Sequence, residues 1–490
     1  MNKLSIEIIS LTIAELSVGP SPRPADRPRL AKYATISRTW QHLVEAHTFA
    51  SIRYLKLDEE ELSTFAALFK HTRRQTLLRN LSLTFEPPFE GNLRAGHIAN
   101  STALGSALTS LFRFLSTWEV DNRTTNILFH IAYSNNTPNR RYFMLDQPDT
   151  VLAAVPYVSC LRISGVCGCA LYPTAAVKLA SSLPNLRTLD YSFYNPDPKR
   201  AQLRKEVREA LATSLNSLKL PMLQHLELTQ DPPLFLRNHS FEYSDLRDAD
   251  GVDPLNAAVH NFSLRTPIQR LVLKDFLVSS DLFVSQDLES TWPTLQQFDI
   301  SGGAIAPSGK WYCTGNTATA SPPGSTRGYG SDAYESVYPS SDSDISWHRN
   351  LDDSGTDDDD DRDAIRNGDR PSYAWRKEPD WNMLTPLLVD MAHAVQRMPN
   401  LQVGCLYLDL VFSNVCVQCA APGFRYADFD EYEPRTFRTC RLFFGDPADR
   451  ASWYSLEQVP EEVRSAWRKW LGSDGEMETG AYWINWDKIF

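Results

Sequence analysis

A chain of 490 residues with 42% hydrophobic and 22% charged side chains can bury a large core, and that balance excludes a disordered or membrane-class protein. The formal net charge is −11, but residues 331–370 hold thirteen Asp and Glu against four Lys and Arg, a net −9 that leaves only −2 elsewhere. A near-neutral body with one acidic tract lacks the electrostatic footprint of nonspecific nucleic-acid binding, so no nucleic-acid partner is expected.

Residues 4–16 are short and apolar, with Leu4, Ile8, Leu11 and Glu15 at helical spacing. Glu7 and Glu15 interrupt the stretch, which argues against a secretory signal, and no apolar run reaches the roughly 20 residues needed to span a bilayer. A chain in the cytoplasm or nucleus is expected, with its eight Cys as reduced thiols. Pro20, Pro22, Pro24 and Pro28 make the next segment a loop, since proline lacks the N–H a helix needs. Leu30, Tyr33, Ile36, Trp40, Leu43 and His47 then predict a second helix. A helix–loop–helix of about fifty residues buries too little by itself and must lean on something else.

From residue 52 short strands alternate with amphipathic helices. I-R-Y-L-K-L (52–57) precedes a helix capped by Asp58 with Glu61 three residues on. L-S-L-T-F (81–85) alternates as a strand, a helix is predicted over 101–118, and I-L-F-H-I-A-Y (127–133) alternates again. A motif then recurs, Pro-x-apolar-x-x-apolar-x-apolar, at 156–163, 184–191, 221–228 and 293–300. A version shifted by one residue starts at Pro267, and a two-residue expansion runs from Pro399 to Leu408. Proline ends the helix and presets an extended chain, and the last two apolar residues share one strand face. Each unit is one helix and one strand that cannot bury its face alone, which is the logic of leucine-rich repeats.

Stacked units place their strands in one parallel sheet in chain order. Leu189, Leu226, Leu271, Phe298 and Leu406 are expected to form one buried row, with Tyr191, Leu228, Leu273, Ile300 and Leu408 beside it. Asp190, Glu227, Val272, Asp299 and Tyr407 then point to the open face, where Asp190, Glu227, Asp299 and Tyr407 are candidates for holding a protein partner. Residues 303–370 are rich in Ser, Gly, Asp and Pro, include the run Asp357 to Asp361, and predict a disordered acidic insertion. Beyond it, a strand at 436–444, a helix from Pro460 to Leu471 and an aromatic strand at 481–486 are expected to cap the stack.

The first fifty residues resemble an F-box of the divergent kind found in leucine-rich F-box proteins of filamentous fungi. The opening Leu-Pro-x-Glu-Ile of that family is met by Leu4, Ser5, Ile6, Glu7 and Ile8, with Ser5 in place of proline. Its Val/Ile-Ser-x-x-Trp is met by Ile36, Ser37, Arg38, Thr39 and Trp40, after a Pro-rich loop longer than the usual turn. The resemblance implies docking on the Skp-type adaptor of a cullin–RING ubiquitin ligase, with Leu4, Ile8, Ile36 and Trp40 as contacts and an unidentified protein substrate on the solenoid. The expected architecture is therefore mixed α/β. An F-box-like helical head (1–50) leads into an irregular leucine-rich-repeat-like solenoid (51–302). The acidic insertion (303–370) and a final repeat with its cap (371–490) follow.

No G-x-x-x-x-G-K, G-x-S-x-G, H-E-x-x-H or G-x-G-x-x-G occurs, so a non-catalytic adaptor without cofactor is expected. The alternative is a leucine-rich interaction scaffold outside ubiquitin transfer, its F-box degenerate. Cys416 and Cys419 form a lone C-x-x-C, with Cys405 and Cys440 too far off in sequence for a four-thiolate zinc site, so buried reduced thiols are expected and no metal. Arg200, Arg204 and Arg208 share one helix face that, diluted by Glu206 and Glu209, is expected to be solvated.

Overall fold

The computed structural model describes residues 5–17, 30–87, 94–118, 127–133, 141–145, 151–164, 169–231, 238–284, 291–319, 365–368, 373, 375–410, 414–424, 436–445 and 454–479. The Pro-rich loop at 20–28, the Asp357–Asp361 run and the expected strand at 481–486 lie outside them. The described chain is mixed α/β, dominated by a sheet of twelve strands that follow one another in strict chain order.

Helix α1 (Ile6–Ser17) starts where Ser5 Oγ accepts from the Ile8 amide at 3.4 Å. The expected second helix is broken in two: a 3-10 turn over Leu30–Thr35, then α2 (Arg38–Phe49). The break lies at Ser37, whose extended backbone and hydroxyl cap the Trp40 amide. Ile9, Ile13 and Val44 form a small core with Leu30, Tyr33, Trp40 and Leu43 packed around it. The buried stripe of α1 is thus Ile9 and Ile13 rather than the phase containing Ile8 and Leu11. The head is tied to the first unit through Glu45, which pairs with Arg73 at 3.3 Å and Arg74 at 3.2 Å, and through Phe49, edge-on to Phe69.

Strands β1 (Ser51–Lys56) and β2 (Asn80–Phe85) flank α3 (Glu59–Leu68) and the short α4 (Thr72–Gln75). Asp58 caps α3 on the Glu61 amide at 2.8 Å, as its spacing predicts. Helix α5 (Arg94–Ser116) begins one to two turns before the predicted 101 and leads to β3 (Ile127–Tyr133). Strands β4 (Arg141–Phe143) and β6 (Cys169–Leu171) pair separately, while β5 (Val158–Ile163) joins the main sheet. Then come α6 (Pro173–Ser181), β7 (Thr188–Tyr194), α7 (Ala201–Ser217), β8 (His225–Asp231), α8 (Pro254–Arg265), β9 (Arg270–Phe276) and β10 (Gln297–Gly303). Strands β11 (Cys313–Thr314) and β12 (Glu378–Pro379) form a two-stranded antiparallel pair. Helix α9 (Trp381–Gln396) returns the chain to the sheet at β13 (Val403–Asp409). All eight pairings from β1 to β13 within the main sheet are parallel. An antiparallel turn through β14 (Asn414–Ala420) and β15 (Thr439–Gly445), backed by α10 (Glu461–Leu471), ends on β16 (Glu476–Thr479).

Within each motif the first apolar residue turns inward: Val158, Leu186, Leu223, Leu295 and Leu401 are all buried. In three units the residue after the motif proline stitches neighbouring units. Asn185 Nδ2 donates to the Pro156 carbonyl at 2.7 Å, Asn400 Nδ2 to the Pro293 carbonyl at 2.5 Å, and Thr294 Oγ1 to the Ile268 carbonyl at 3.0 Å. Of the first row expected from sequence, Leu189, Leu226, Leu271 and Phe298 stand in register, and Leu161 extends the row ahead of them. Leu406 does not extend it. Phe298 faces Gly404, and Leu406 belongs to the second row, opposite Ile300, with Leu408 opposite Gly302. The unit at Pro399 therefore carries no expansion; a glycine occupies the slot that leucine or phenylalanine fills elsewhere. A Cβ on Gly404 would lie 2.3 Å from the Phe298 ring, which has taken the space.

The folded chain also runs past the boundary expected at 303. Ala304, Ile305, Ala306, Trp311, Tyr312 and Cys313 are buried, and a 3-10 turn covers Thr317–Thr319. The far side returns by a clasp: His239 Nδ1 accepts from the amides of Trp375 (3.0 Å) and Arg376 (2.8 Å). The Arg376 guanidinium lies over the rings of Trp375 and Trp311 at 4.1 and 5.3 Å. Burial and the Arg376 charge push the His239 pKa down to about 4, so the ring stays neutral and able to accept. No helix among the described residues is long and apolar enough to cross a membrane.

Candidate functional site

Two surfaces gather the residues singled out by sequence. The first is the outer side of the head. Because α1 spends Ile9 and Ile13 on its own core, Ile6 (60% exposed), Ile8 (49%) and Leu11 (67%) stand in water, and Ile36 (40%) joins them from the turn before α2. Ile8 and Leu11 lie about 60° apart around α1 on the side opposite Ile9 and Ile13, whereas Ile6 stands at the exposed start of the buried stripe. Trp40 is different. It is half-buried in the head's own cluster, its ring 6.2 Å from that of Tyr33, and so holds the head together. Leu4 lies outside the described residues.

The second surface is the sheet face opposite the buried rows. Parallel register sets Arg162, Asp190, Glu227, Val272, Asp299 and Cys405 side by side, one per strand. At about 4.8 Å per strand, Asp190 to Asp299 spans roughly 14 Å. Tyr407 is displaced from this row: it sits opposite Ser301, one step along the strands. That is the same two-residue slip that misplaced Leu406. Cations bracket the carboxylates, with Arg162 Nε 3.5 Å from Asp190 and Lys274 Nζ 2.7 Å from Glu227, while His225 Nε2 stands 3.7 Å from Glu227. Burial, then the neighbouring Glu227 charge, raises the Asp190 carboxyl to about 6 against the opposing pull of Arg162 and Lys274. Burial and Arg270 push the His225 ring the other way, below its ordinary value. The row is thus a rigid strip of carboxylates with paired cations, suited to recognising a surface of mixed charge. It closes at β13 and β14, where Cys405, Cys416, Gln418 and Ala420 are buried.

The thiols form no common site. Cys416 and Cys419 are three apart on β14, an odd step that sends them to opposite faces. Cys405 is hydrogen-bonded to Cys416, while Cys419 is in register with Cys440. Burial holds the Cys419 and Cys440 thiols well above the ordinary range. Among the described residues no group of three or more His, Cys, Asp or Glu is placed to hold a metal.

The arginine face of α7 is not solvated. Arg200, Arg204 and Arg208 are all buried, and Arg208 Nη2 reaches Asp253 Oδ2 at 2.6 Å. Asp253 is at the same time the N-cap of α8. The signal was present in the Asp253–Pro254 helix start, but the 45 residues between the partners hid their meeting. No family model matches this sequence, and no curated protein is similar to it.

Proposed function

We propose that the chain is a substrate-receptor subunit of a Skp–cullin–RING ubiquitin ligase. Its head docks on the Skp-type adaptor, and the acidic strip of its leucine-rich-repeat-like sheet holds a protein target. The observation that carries this reading is the outer side of the head. A helix pair whose buried core among the described residues is Ile9, Ile13 and Val44 leaves Ile6, Ile8, Leu11 and Ile36 uncovered, and the Ile36-Ser37-x-x-Trp40 spacing runs into α2 while Glu7 and Ile8 of the opening motif lie on α1. Ser5 supplies the helix start where an F-box has proline. That departure also favours the second reading, an interaction scaffold that no longer engages the adaptor.

The test is direct binding of the full chain to purified Skp-type adaptor, compared with Ile8→Ala/Leu11→Ala. Both side chains are exposed, so circular dichroism and melting should match wild type. Binding is expected to weaken thirtyfold or more, corresponding to about 2 kcal/mol for apolar anchors at an interface. Trp40→Ala does not separate docking from folding, because Trp40 packs inside the head. A wild-type chain that fails to bind, or a folded double variant that binds equally well, removes the proposal.

A further inference from the structure

Away from both surfaces, buried polar groups converge at the carboxyl ends of β7 and β8, where α7 begins. Arg204, in the first turn of α7, is 2% exposed, and Arg208 one turn on is 3% exposed. Gln230, at the end of β8, accepts from Arg208 Nη1 at 3.4 Å through Oε1, while its buried Nε2 has no acceptor. Arg208 has a counter-ion in Asp253, and that carboxylate is taken up further by the Asn256 amide at 3.0 Å. Among the described residues Arg204 has none within ion-pair distance, and its Nε is buried without an acceptor. Among the described residues, Arg208 repels it, while Tyr243 and the Asp197 carboxylate act in its favour. Burial lowers its pKa to about 10, which leaves it protonated at neutral pH.

The helix end adds to this. The N-cap Arg200 makes no side-chain capping bond, and no acidic residue stands in the first turn. The positive dipole end of a 17-residue helix therefore meets a guanidinium that has no ion pair among the described residues. A buried cation in that position requires an anion or ordered water. The Arg204 fork, the Gln230 Nε2 and the helix start each offer donors, the groups from which a tetrahedral oxyanion accepts.

We propose that the N-terminus of α7, with Arg204 and Gln230, is a binding site for a phosphate-class oxyanion. The near-complete enclosure of Arg204 selects a compact group, which can arrive as a free ion or on a phosphorylated side chain.

The experiment uses the full chain in phosphate-free buffer, titrated with inorganic phosphate against chloride at matched ionic strength and followed by thermal melting and calorimetry. Wild type should show a saturable rise of about 2 °C or more that chloride does not reproduce. Arg204→Met should abolish the response, and in the absence of phosphate it should melt higher than wild type because a stranded charge has gone. Arg204→Lys keeps the charge without the fork and should weaken phosphate at least tenfold, which covers the case of a methionine variant that fails to fold. The exposed Lys219→Ala should respond as wild type does. A phosphoserine peptide run in parallel identifies the source: stabilisation by phosphate alone means a free ion, and stabilisation by both means a group carried on a chain. No saturable response in wild type, or an undiminished one in Arg204→Lys, shows a solvent-filled crevice and overturns the site.

Discussion

Gly404→Ala adds one methyl group where every other unit carries a large apolar side chain, yet it should destabilise the protein. The new carbon would lie 2.3 Å from both Cε1 and Cζ of Phe298 and 2.8 Å from Cys419 Sγ. Phe298 is almost fully buried, so its ring has no solvent side to retreat to. Overpacking of this kind costs about 1–3 kcal/mol. The reduced freedom of the unfolded chain returns about 0.4–1 kcal/mol. The expected net loss is about 1–2 kcal/mol, read as a lower urea midpoint at unchanged slope. Phe298→Leu withdraws the two offending ring atoms and leaves a cavity, so Gly404→Ala on that background should cost far less than in wild type. Coupling of about 1 kcal/mol in the double-mutant cycle is the expected signature. A neutral or stabilising Gly404→Ala, or strictly additive costs, would refute the idea that the glycine exists to admit its neighbour's ring.

Asp253→Ala removes a helix cap and the counter-ion of Arg208 together, and should cost about 3–5 kcal/mol in denaturant titration; a loss below 1 kcal/mol would mean the pair carries little. Asp190→Asn should act with a pH-dependent sign. The folded Asp190 titrates near 6 against about 3.9 for an unperturbed Asp, so its contribution is full below about pH 4 and is lost as pH rises through 6. The side chain is 25% exposed, which reduces the raw value of nearly 3 kcal/mol to about 1 kcal/mol. The variant should therefore equal wild type near pH 4 and exceed it by about 1 kcal/mol at pH 7.5, and a gap that opens toward acid instead would contradict the burial argument.

The order of strands was legible because each motif is local: proline, an inward leucine and two residues on one strand face lie within eight positions. What stayed hidden depends on partners far away in sequence. An apolar residue expected in every slot displaces the last unit by two, since the reason for glycine at 404 is a ring on the preceding strand. The stripe of α1 was placed one residue off because Ile6, Ile8, Ile9, Leu11 and Ile13 make every helical phase look apolar, and only packing against Val44 selects one. The arginines of α7 looked solvated until Asp253 was brought beside them. The edge of the insertion was set too early because Trp311 and Tyr312 were outweighed by their Ser and Gly surroundings. On the candidate surfaces, the acidic row was readable from alternation alone, whereas the internal role of Trp40 was not.

A sheet whose strands follow chain order can assemble like a zip, each strand finding its partner among residues just made or just folded, with short loops to close. The His239–Arg376 clasp obeys a different rule, since it joins residues 137 apart. It cannot close until β10 and the chain beyond it are in place, so it acts as a latch on a row of teeth already engaged. Refolding should show sheet signal before the Trp311 and Trp375 environments become native, and cutting the chain between residues 320 and 364 should leave β1 to β10 in one piece while making both the latch and the β10–β13 pairing an association between two pieces.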